Sequence, residues 1–475
     1  MTVTQYECQA CGWVYPPESD NTSNTVPSFS ELEDGFSCPL CGVGKSEFSP
    51  IGQQQNEAAS NTDLSKQTKQ QIVIIGAGLA GWTVVDAIRA LNKEVGITLI
   101  AADKGHRYHK PMLSAAFSQR KSAEDLIRFK AQEAADKAGI ELLSNTTVLS
   151  IDAENRKIVL SEGEIGYDKL VMAIGAVPAI PPTIDANNVW HINDIDNFHN
   201  FEQALSSASA PQHIAVIGAG MVGTEIAEDL TKSGHKVSLL DMNEAPLALM
   251  LPKIASKKIK EALIKQGINF MGNCRVEQVT ALAEGGYRLT VSDCLGEDEQ
   301  SLQVDHILIS TGLKVDEILP HSACLNFDRQ LGIAVEEATL QSSHSDIYAI
   351  GDCMSIDGVP CRYVAPLRAQ ASTIAEHLLA HLGQHSLAED SSQPSSEDSL
   401  PQSYEHKAYV HKPPMIRLKN KSISVSATGR PTADESNAQW QVVSDTDTET
   451  GHEMVLQQID ADGEVVATAT LKTVN

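Results

Sequence analysis

Twice in this chain a short apolar run ends in Gly-x-Gly-x-x-Gly and passes into a helical pattern. That repeat constrains the fold more than any other feature. The first instance leads from Ile72-Val-Ile-Ile75 into Gly76, Gly78 and Gly81. A helical periodicity follows through Val84, Val85, Ile88 and Leu91, then a strand at Ile97–Ile100. The second leads from His213–Ile217 into Gly218, Gly220 and Gly223, then a helix, then Lys236–Leu240. Between a strand and a helix each glycine has a task. The first makes the turn, the second lets a pyrophosphate approach the backbone, and the third packs helix on strand. The helix N-terminus, with its unpaired N–H groups, faces the phosphates. Ala80 belongs to the first such turn. The acids past the two second strands, Asp103 and Asp241, stand where a ribose hydroxyl is accepted, and Asp241 follows Gly218 by 23 positions. A carboxylate there repels a 2′-phosphate, and Met242, Asn243 and Glu244 offer no arginine, so NADH is expected in preference to NADPH.

The N-terminus has a different organisation. Cys8-Gln-Ala-Cys11-Gly12 and Cys38-Pro-Leu-Cys41-Gly42 are two pairs whose spacing lets four thiolates converge on one metal ion. Glycine after each pair permits the tight turn that aims N–H groups at sulfur. A closed site of four thiolates holds zinc or a single iron, and the spacing does not choose. Tyr6, Trp13, Tyr15, Phe29, Phe36 and Phe48 crowd the same stretch. A module this small leans on its metal to fold, and rings beside the sulfurs exclude water, which matters more for a redox metal than for a structural one. Cys274, Cys294, Cys324, Cys353 and Cys361 are scattered and read as inert buried thiols. No Cys-x-x-Cys or Cys-x4-Cys occurs after residue 71, so a disulfide relay is excluded.

A chain of 475 residues exceeds one core, and several domains are expected. Its net charge of −26 argues against nucleic-acid or anionic-membrane binding. No apolar run approaches a membrane span and the first residues lack a signal-peptide plan, so a cytoplasmic protein is expected.

Tyr6-Glu-Cys8-Gln-Ala-Cys11-Gly12-Trp13-Val-Tyr15-Pro16-Pro17-Glu18, with Asp34-Gly35-Phe36-Ser-Cys38-Pro39-Leu-Cys41-Gly42 and Lys45-Ser-Glu-Phe48, resembles rubredoxin. That resemblance implies one iron cycling between ferric and ferrous. It departs at Phe36, where the family usually has tryptophan, and in a slightly short loop between the pairs. The remainder resembles the two-dinucleotide disulfide and ferredoxin reductase superfamily. Leu170–Gly175 and His306–Gly312 look like the segments returning the chain between its domains. Asp346-Ile-Tyr-Ala-Ile-Gly351-Asp352 looks like the segment whose aspartate binds the flavin ribityl chain. The resemblance implies FAD at the first glycine triplet, with Gly175 and Asp352, and NADH at the second. Tyr108-His-Lys110-Pro111-Met-Leu-Ser114 and Tyr363-Val-Ala-Pro366-Leu367 are similar to stretches of rubredoxin reductases. From that similarity Lys110 is expected beside the flavin, paired with Glu225. An ammonium at the flavin edge stabilises electron density arriving with hydride. His411-Lys412-Pro413 falls where that family has a Lys-Thr-Pro stretch.

The expected fold class is multidomain: a rubredoxin-like β module, α/β two-dinucleotide-binding (glutathione-reductase-like) FAD and NAD domains, and a small α+β C-terminal domain. The expected boundaries are a metal module at 1–50, a polar flexible linker at 51–70 and FAD-binding segments at 71–182 and 312–382. The NAD-binding domain falls at 183–311, a Ser- and acid-rich loop at 383–402, and an interface domain of short strands at 403–475. His377, His381 and His385, spaced for one helix face, read as a surface face rather than a metal site, and Asp460-Ala-Asp462-Gly463 as a hairpin turn.

The resemblance implies an NADH:rubredoxin oxidoreductase fused to its own rubredoxin. It also implies an external acceptor such as a membrane-bound alkane hydroxylase, another iron oxygenase or an oxygen-detoxifying enzyme. Two alternatives stand beside it: a zinc-bound docking module on a flavin reductase, and an NADH oxidase with a peripheral iron module. The module carries seven Asp and Glu against Lys45 alone over residues 1–50. It is expected to dock near Arg107, Arg120, Lys121 or Arg128.

Overall fold

The apolar runs before the glycine triplets form inner strands of two parallel sheets. Strands buried on both faces need continuous apolar sequence, which is why these runs do not alternate. The computed structural model describes residues 5–8, 13–16, 27–33, 35–39, 43–50, 70–294, 296–389, 408–413, 415–448 and 451–474. Cys11, Cys41, all of the expected linker 51–70 but Gln70, and most of the expected loop 383–402 lie outside the described residues.

The first sheet has five parallel strands in the order Ile347–Ala349, Lys169–Met172, Gln71–Ile75, Gly96–Ile100, Glu141–Leu143. Its end strand comes from far along the chain, so this first unit is assembled from two separated segments. Lys169 begins an inner strand although buried, because Asp346 accepts its Nζ at 2.6 Å and Arg156 shares that carboxylate. Helix Leu79–Leu91 packs on this sheet beside helix Leu367–Glu389. The latter runs past Gly383, where the sequence pattern suggested its end. His377 is no plain surface residue: its Nδ1 lies 2.8 Å from the hydroxyl of buried Tyr348.

The second sheet has four parallel strands, ordered Asn269–Met271, Lys236–Leu240, His213–Ile217, His306–Ile309. Described residues after 408 form an antiparallel five-stranded sheet, ordered Ile416–Leu418, Ile423–Gly429, Val465–Val474, Gly451–Asp460, Ala438–Thr448. The tail was expected to be α+β with short strands. Among the described residues it contains strands alone, and three of them span ten or eleven residues. Asp460–Gly463 makes the expected hairpin turn, with Gly463 at φ +88°. The core of the tail is continuous with that of the second unit: Ile416, Leu418, Val425 and Met454 share one apolar cluster with Ile226, Leu230 and Phe198.

The N-terminal module is a three-stranded antiparallel sheet, ordered Val14–Tyr15, Tyr6–Cys8, Phe48–Pro50. Phe29 sits at its centre, stacked on Tyr6 at 4.2 Å and tilted against Phe48 at 5.0 Å. Phe36 fills the place expected of a tryptophan by edge contact with Tyr15 and Phe29. Among the described residues no helix is long and apolar enough to cross a membrane.

Candidate functional site

The two glycine triplets are built alike. Gly76 and Gly218 have φ of +105° and +103°, and a Cβ on either would lie 2.2 or 2.4 Å from a carbonyl oxygen of the neighbouring strand's end, Ala173 or Ser310. Gly81 and Gly223 are tighter still, since a Cβ would fall 1.9 Å from the oxygen of Gly76 or Gly218. The middle glycines differ. A Cβ on Gly78 or Gly220 would meet nothing within 4 Å. Each caps a helix, Leu79–Leu91 or Met221–Lys232, that has neither a side-chain cap nor an acid in its first turn. Open space in front of unpaired N–H groups at a helix start fits a diphosphate. Both cradles therefore fit a dinucleotide. Ala80 underlies the next part of the first one: a Cβ on Gly351 would lie 3.2 Å from the Ala80 methyl, so the segment bearing Asp352 packs close on this turn.

Asp103 Oδ1 accepts the Gly105 N–H at 2.8 Å. Burial raises its pKa, and the charges of Asp196 and Asp194 add to that. Asp241 Oδ2 accepts from the Ala219 N–H at 2.6 Å, while Oδ1 takes the backbone and side-chain N–H of Asn243, each at 2.8 Å. Its carboxylate thus also pins the second glycine turn. Gly175 has φ +66° with open space beside it.

The second cradle opens into a cavity of ≈ 890 Å³ between the first unit, the second unit and the C-terminal sheet. Lys110, Pro111 and Asp352 face it from the first half, Gly218, Gly220 and Asp241 from the second, and Lys419 from the tail. Lys110 and Glu225 both line it, yet the expected ion pair between them does not form. Lys110 Nζ reaches Asp352 Oδ2 at 3.5 Å. Glu225 is held by Lys419, which donates from Nζ at 2.7 Å and from its backbone N–H at 3.0 Å, and by the Ser114 hydroxyl at 2.6 Å. The reason lies in direction. Glu225 projects from its helix toward the C-terminal sheet, where Lys419 reaches it from the tail. Lys110 opens the 3-10 segment Lys110–Ala115 beside Asp352. Lys412 is exposed and is not among the cavity's lining residues. Lys419 was not singled out from the sequence, since it sits in a polar Lys-Asn-Lys-Ser stretch typical of a turn.

Two further acids on the same helix tie it in. Glu228 accepts from the Asn420 side chain and from the backbone N–H groups of Lys421 and Ser422, at 2.6 to 3.1 Å. Asp229 accepts from the Phe117 N–H at 2.7 Å. One helix therefore positions the Gly218–Gly223 turn, the Lys110–Ser118 region and the tail together.

The five scattered cysteines are not all buried as expected: Cys353 and Cys361 are, Cys274 is half-buried on the cavity wall, and Cys294 and Cys324 are exposed because they sit in surface turns. Burial pushes the Cys353 thiol up to about 12, and the Cys361 and Cys274 thiols up to about 11, so none is a ready thiolate.

In the N-terminal module Cys8 and Cys38 are fully buried. The two knuckles are closed by the same bond: the Cys8 N–H donates to the Trp13 carbonyl at 2.8 Å, and the Cys38 N–H to the Val43 carbonyl at 2.7 Å. Two buried sulfurs in equivalent turns fit a four-thiolate site, of which Cys11 and Cys41 lie outside the described residues. The module rests on the flavoprotein. Glu7 is ion-paired with Arg128, Arg417 Nη2 donates to the Ser37 hydroxyl at 2.8 Å, and Arg368 pairs with Glu47 at 3.0 Å. Of the basic residues expected to receive it, Arg128 does. Arg107 instead pairs with Asp86 and lies over the Trp82 ring.

Two dinucleotide cradles of the same build in one chain define a pyridine-nucleotide oxidoreductase of the two-dinucleotide kind. The chain belongs to the pyridine nucleotide-disulphide oxidoreductase family, whose model matches residues 70–374, and it carries a rubredoxin domain matched over residues 5–48. It is 34% identical over 309 residues to a rubredoxin-NAD(+) reductase of Alcanivorax borkumensis, covering 65% of this chain and 78% of that protein. It is 34% identical over 310 residues, with the same coverage, to a nitric oxide reductase FlRd-NAD(+) reductase of Vibrio vulnificus. Among solved structures, the NADH:rubredoxin oxidoreductase of Clostridium acetobutylicum superposes with a TM-score of 0.64 at 21% identity, over 85% of this chain and 92% of that one. A covalent putidaredoxin reductase–putidaredoxin complex superposes with a TM-score of 0.70 at 23% identity, over 85% and 90%.

Proposed function

We propose that this chain is an FAD-dependent NADH:rubredoxin oxidoreductase that carries its own rubredoxin. The observation that supports this most directly is the rubredoxin domain resting on a two-dinucleotide unit, its contact residue Arg417 lining the same cavity as Lys110, Asp352 and the second dinucleotide cradle. FAD held in the first cradle would supply hydride acceptance and single-electron release, and an iron ion held by the four cysteines would supply a one-electron site.

The residues divide the work. Gly76, Gly78, Ala80 and Gly81 would admit the FAD diphosphate and Asp103 its ribose, with Gly175 and Asp352 along the rest of the cofactor. Gly218, Gly220 and Gly223 would admit the NADH diphosphate. Asp241 accepts a ribose hydroxyl and disfavours a 2′-phosphate. Lys110 is the cation at the reacting edge, where positive charge stabilises incoming electron density. Glu225 acts one step removed, by holding Lys419 and through it the C-terminal wall. Cys8, Cys11, Cys38 and Cys41 would ligate the iron. The external acceptor is read as an iron oxygenase such as an alkane hydroxylase, and the chain as cytoplasmic. An anaerobic NADH titration followed by visible spectroscopy tests the reading. Bleaching of flavin and ferric-thiolate bands together supports it, and a chain with stoichiometric zinc and no ferric bands overturns it.

A further inference from the structure

We propose that Arg128, Arg368 and Arg417 form a cradle that holds the chain's own rubredoxin module with its cysteine knuckles toward the cavity, Arg417 being the positioning residue. This rests on the oxidoreductase reading above and adds how the two redox parts are brought face to face.

The contacts are placed systematically. Glu7 immediately precedes Cys8 and Ser37 immediately precedes Cys38. These are equivalent positions in the module's internal repeat, whose knuckles are closed by equivalent bonds. Contacts at both positions bracket the metal-binding end, so that end faces the flavoprotein. On the receiving side the contacts converge on the cavity. Arg128 Nη1 lies 2.9 Å from His109 Nε2, and His109 directly precedes Lys110. Arg417 itself lines the cavity while its Nη2 reaches Ser37. One side chain is thus shared between the cavity wall and a cysteine knuckle.

The three contacts differ in weight. Arg368 is largely exposed and Glu47 only partly buried, so water and salt screen their pair. Glu7 is nearly buried and meets a fixed guanidinium, which makes it the anchor. An anchor alone leaves rotation free, and the Arg417–Ser37 bond removes it. Charge agrees with this, since the module is almost purely acidic and all three receiving residues are arginines. They come from three distant places in the chain: before the second glycine triplet, in helix Leu367–Glu389, and in the C-terminal sheet. The surface therefore exists only once the flavoprotein is assembled. The step served is transfer of one electron to ferric iron, giving ferrous iron. The electron comes from reduced flavin, and the transfer occurs twice per NADH oxidised, the ferrous iron giving its electron to the external acceptor in between; no bond is broken in the module.

The test uses the full chain as the iron- and flavin-loaded protein, in the variants Arg417→Ala, Arg417→Lys and Ser37→Ala. Two readouts are followed: the iron phase after anaerobic mixing with NADH, and hydrogen exchange in residues 43–50 and 415–418. Arg417→Ala is expected to slow the iron phase about tenfold or more, in line with the usual cost of misplaced reacting groups. It should also raise exchange in both segments, with the ferric spectrum unchanged. Arg417→Lys should recover part of the rate, and Ser37→Ala should shift it in the same direction as Arg417→Ala. The wild-type iron phase should be independent of enzyme concentration. An unchanged iron phase and unchanged exchange in Arg417→Ala overturn the proposal, as does an iron phase rising in proportion to concentration. Failure of the oxidoreductase reading looks different: NADH would leave the flavin band of the wild-type chain unbleached.

Discussion

Lys419 Nζ lies 2.7 Å from Glu225 Oε2, and this pair joins the C-terminal sheet to the helix that opens at the second glycine triplet. Both side chains are largely withdrawn from water, Glu225 almost completely. Removing one partner of such a pair leaves the other charge buried, at a cost of roughly 3–5 kcal/mol. Lys419→Met is expected to lower apparent stability by about 3 kcal/mol, read from urea unfolding followed by flavin release. An exposed lysine would show no such loss.

The second and third glycines of one triplet should respond oppositely. A side chain on Gly220 meets open space, whereas one on Gly223 strikes the Gly218 carbonyl. Gly220→Val should raise the KM for NADH about tenfold or more, by filling the diphosphate's place, with the melting temperature unchanged. Gly223→Ala should lower the melting temperature. Equal behaviour of the two would remove the case for a nucleotide cradle there.

Asp241 has two tasks, and substitution should separate them. Its carboxylate accepts from the Ala219 N–H, so Asp241→Ala alone should loosen the turn and weaken either nucleotide. Adding arginine at the exposed Met242 supplies a partner for a 2′-phosphate. The double variant should narrow or reverse the ratio of kcat/KM for NADH over NADPH, measured by steady-state kinetics. Wild-type use of NADPH on equal terms would contradict the role given to the carboxylate.

Cys38→Ser should lose the metal and the red ferric-thiolate absorption, while NADH still bleaches the flavin. Metal analysis of the variant beside a stopped-flow trace of flavin reduction checks both halves. Slowed flavin reduction in the variant would mean the module contributes to NADH chemistry itself.

Stability should fall on mild acidification. Burial lowers the pKa of His191, His213, His235, His306 and His411 below the ordinary 6.5. Near pH 6 the unfolded chain therefore binds more protons at these positions than the folded one, so stability rises with pH there. It is complete above about pH 6.5 and declines as pH drops through that value. His452 opposes this, because bonds to Asp447 and Asp445 raise its pKa, but it is one group in an exposed setting. Melting temperatures at pH 7.5, 6.5 and 5.5 should decrease in that order. His191→Phe should flatten the slope.

Local patterns carried most of the architecture. Each strand–glycine–helix unit is contiguous, and it depends on a backbone angle that favours glycine at Gly76 and Gly218 and on close backbone approach at Gly81 and Gly223, so these could be assigned tasks from spacing alone. The cysteine pairs were readable for the same reason: a knuckle is closed within six residues. Pairings between distant segments were not. Lys110 lies 115 positions before Glu225 and Lys419 lies 194 after it, and no periodicity says which lysine a buried carboxylate will meet. That was settled by the direction in which helix Met221–Lys232 faces and by the shared apolar core that seats the C-terminal sheet against it. The docking arginines follow the same rule. Arg128 could be nominated because it is near Lys110 in sequence, but Arg368 and Arg417 come together with it only in the assembled flavoprotein. Spacing specifies groups whose partners lie within one turn or one strand–helix unit. Charge partners across the molecule are chosen by how the units pack, because burial leaves each ion only the counterion that packing brings within reach.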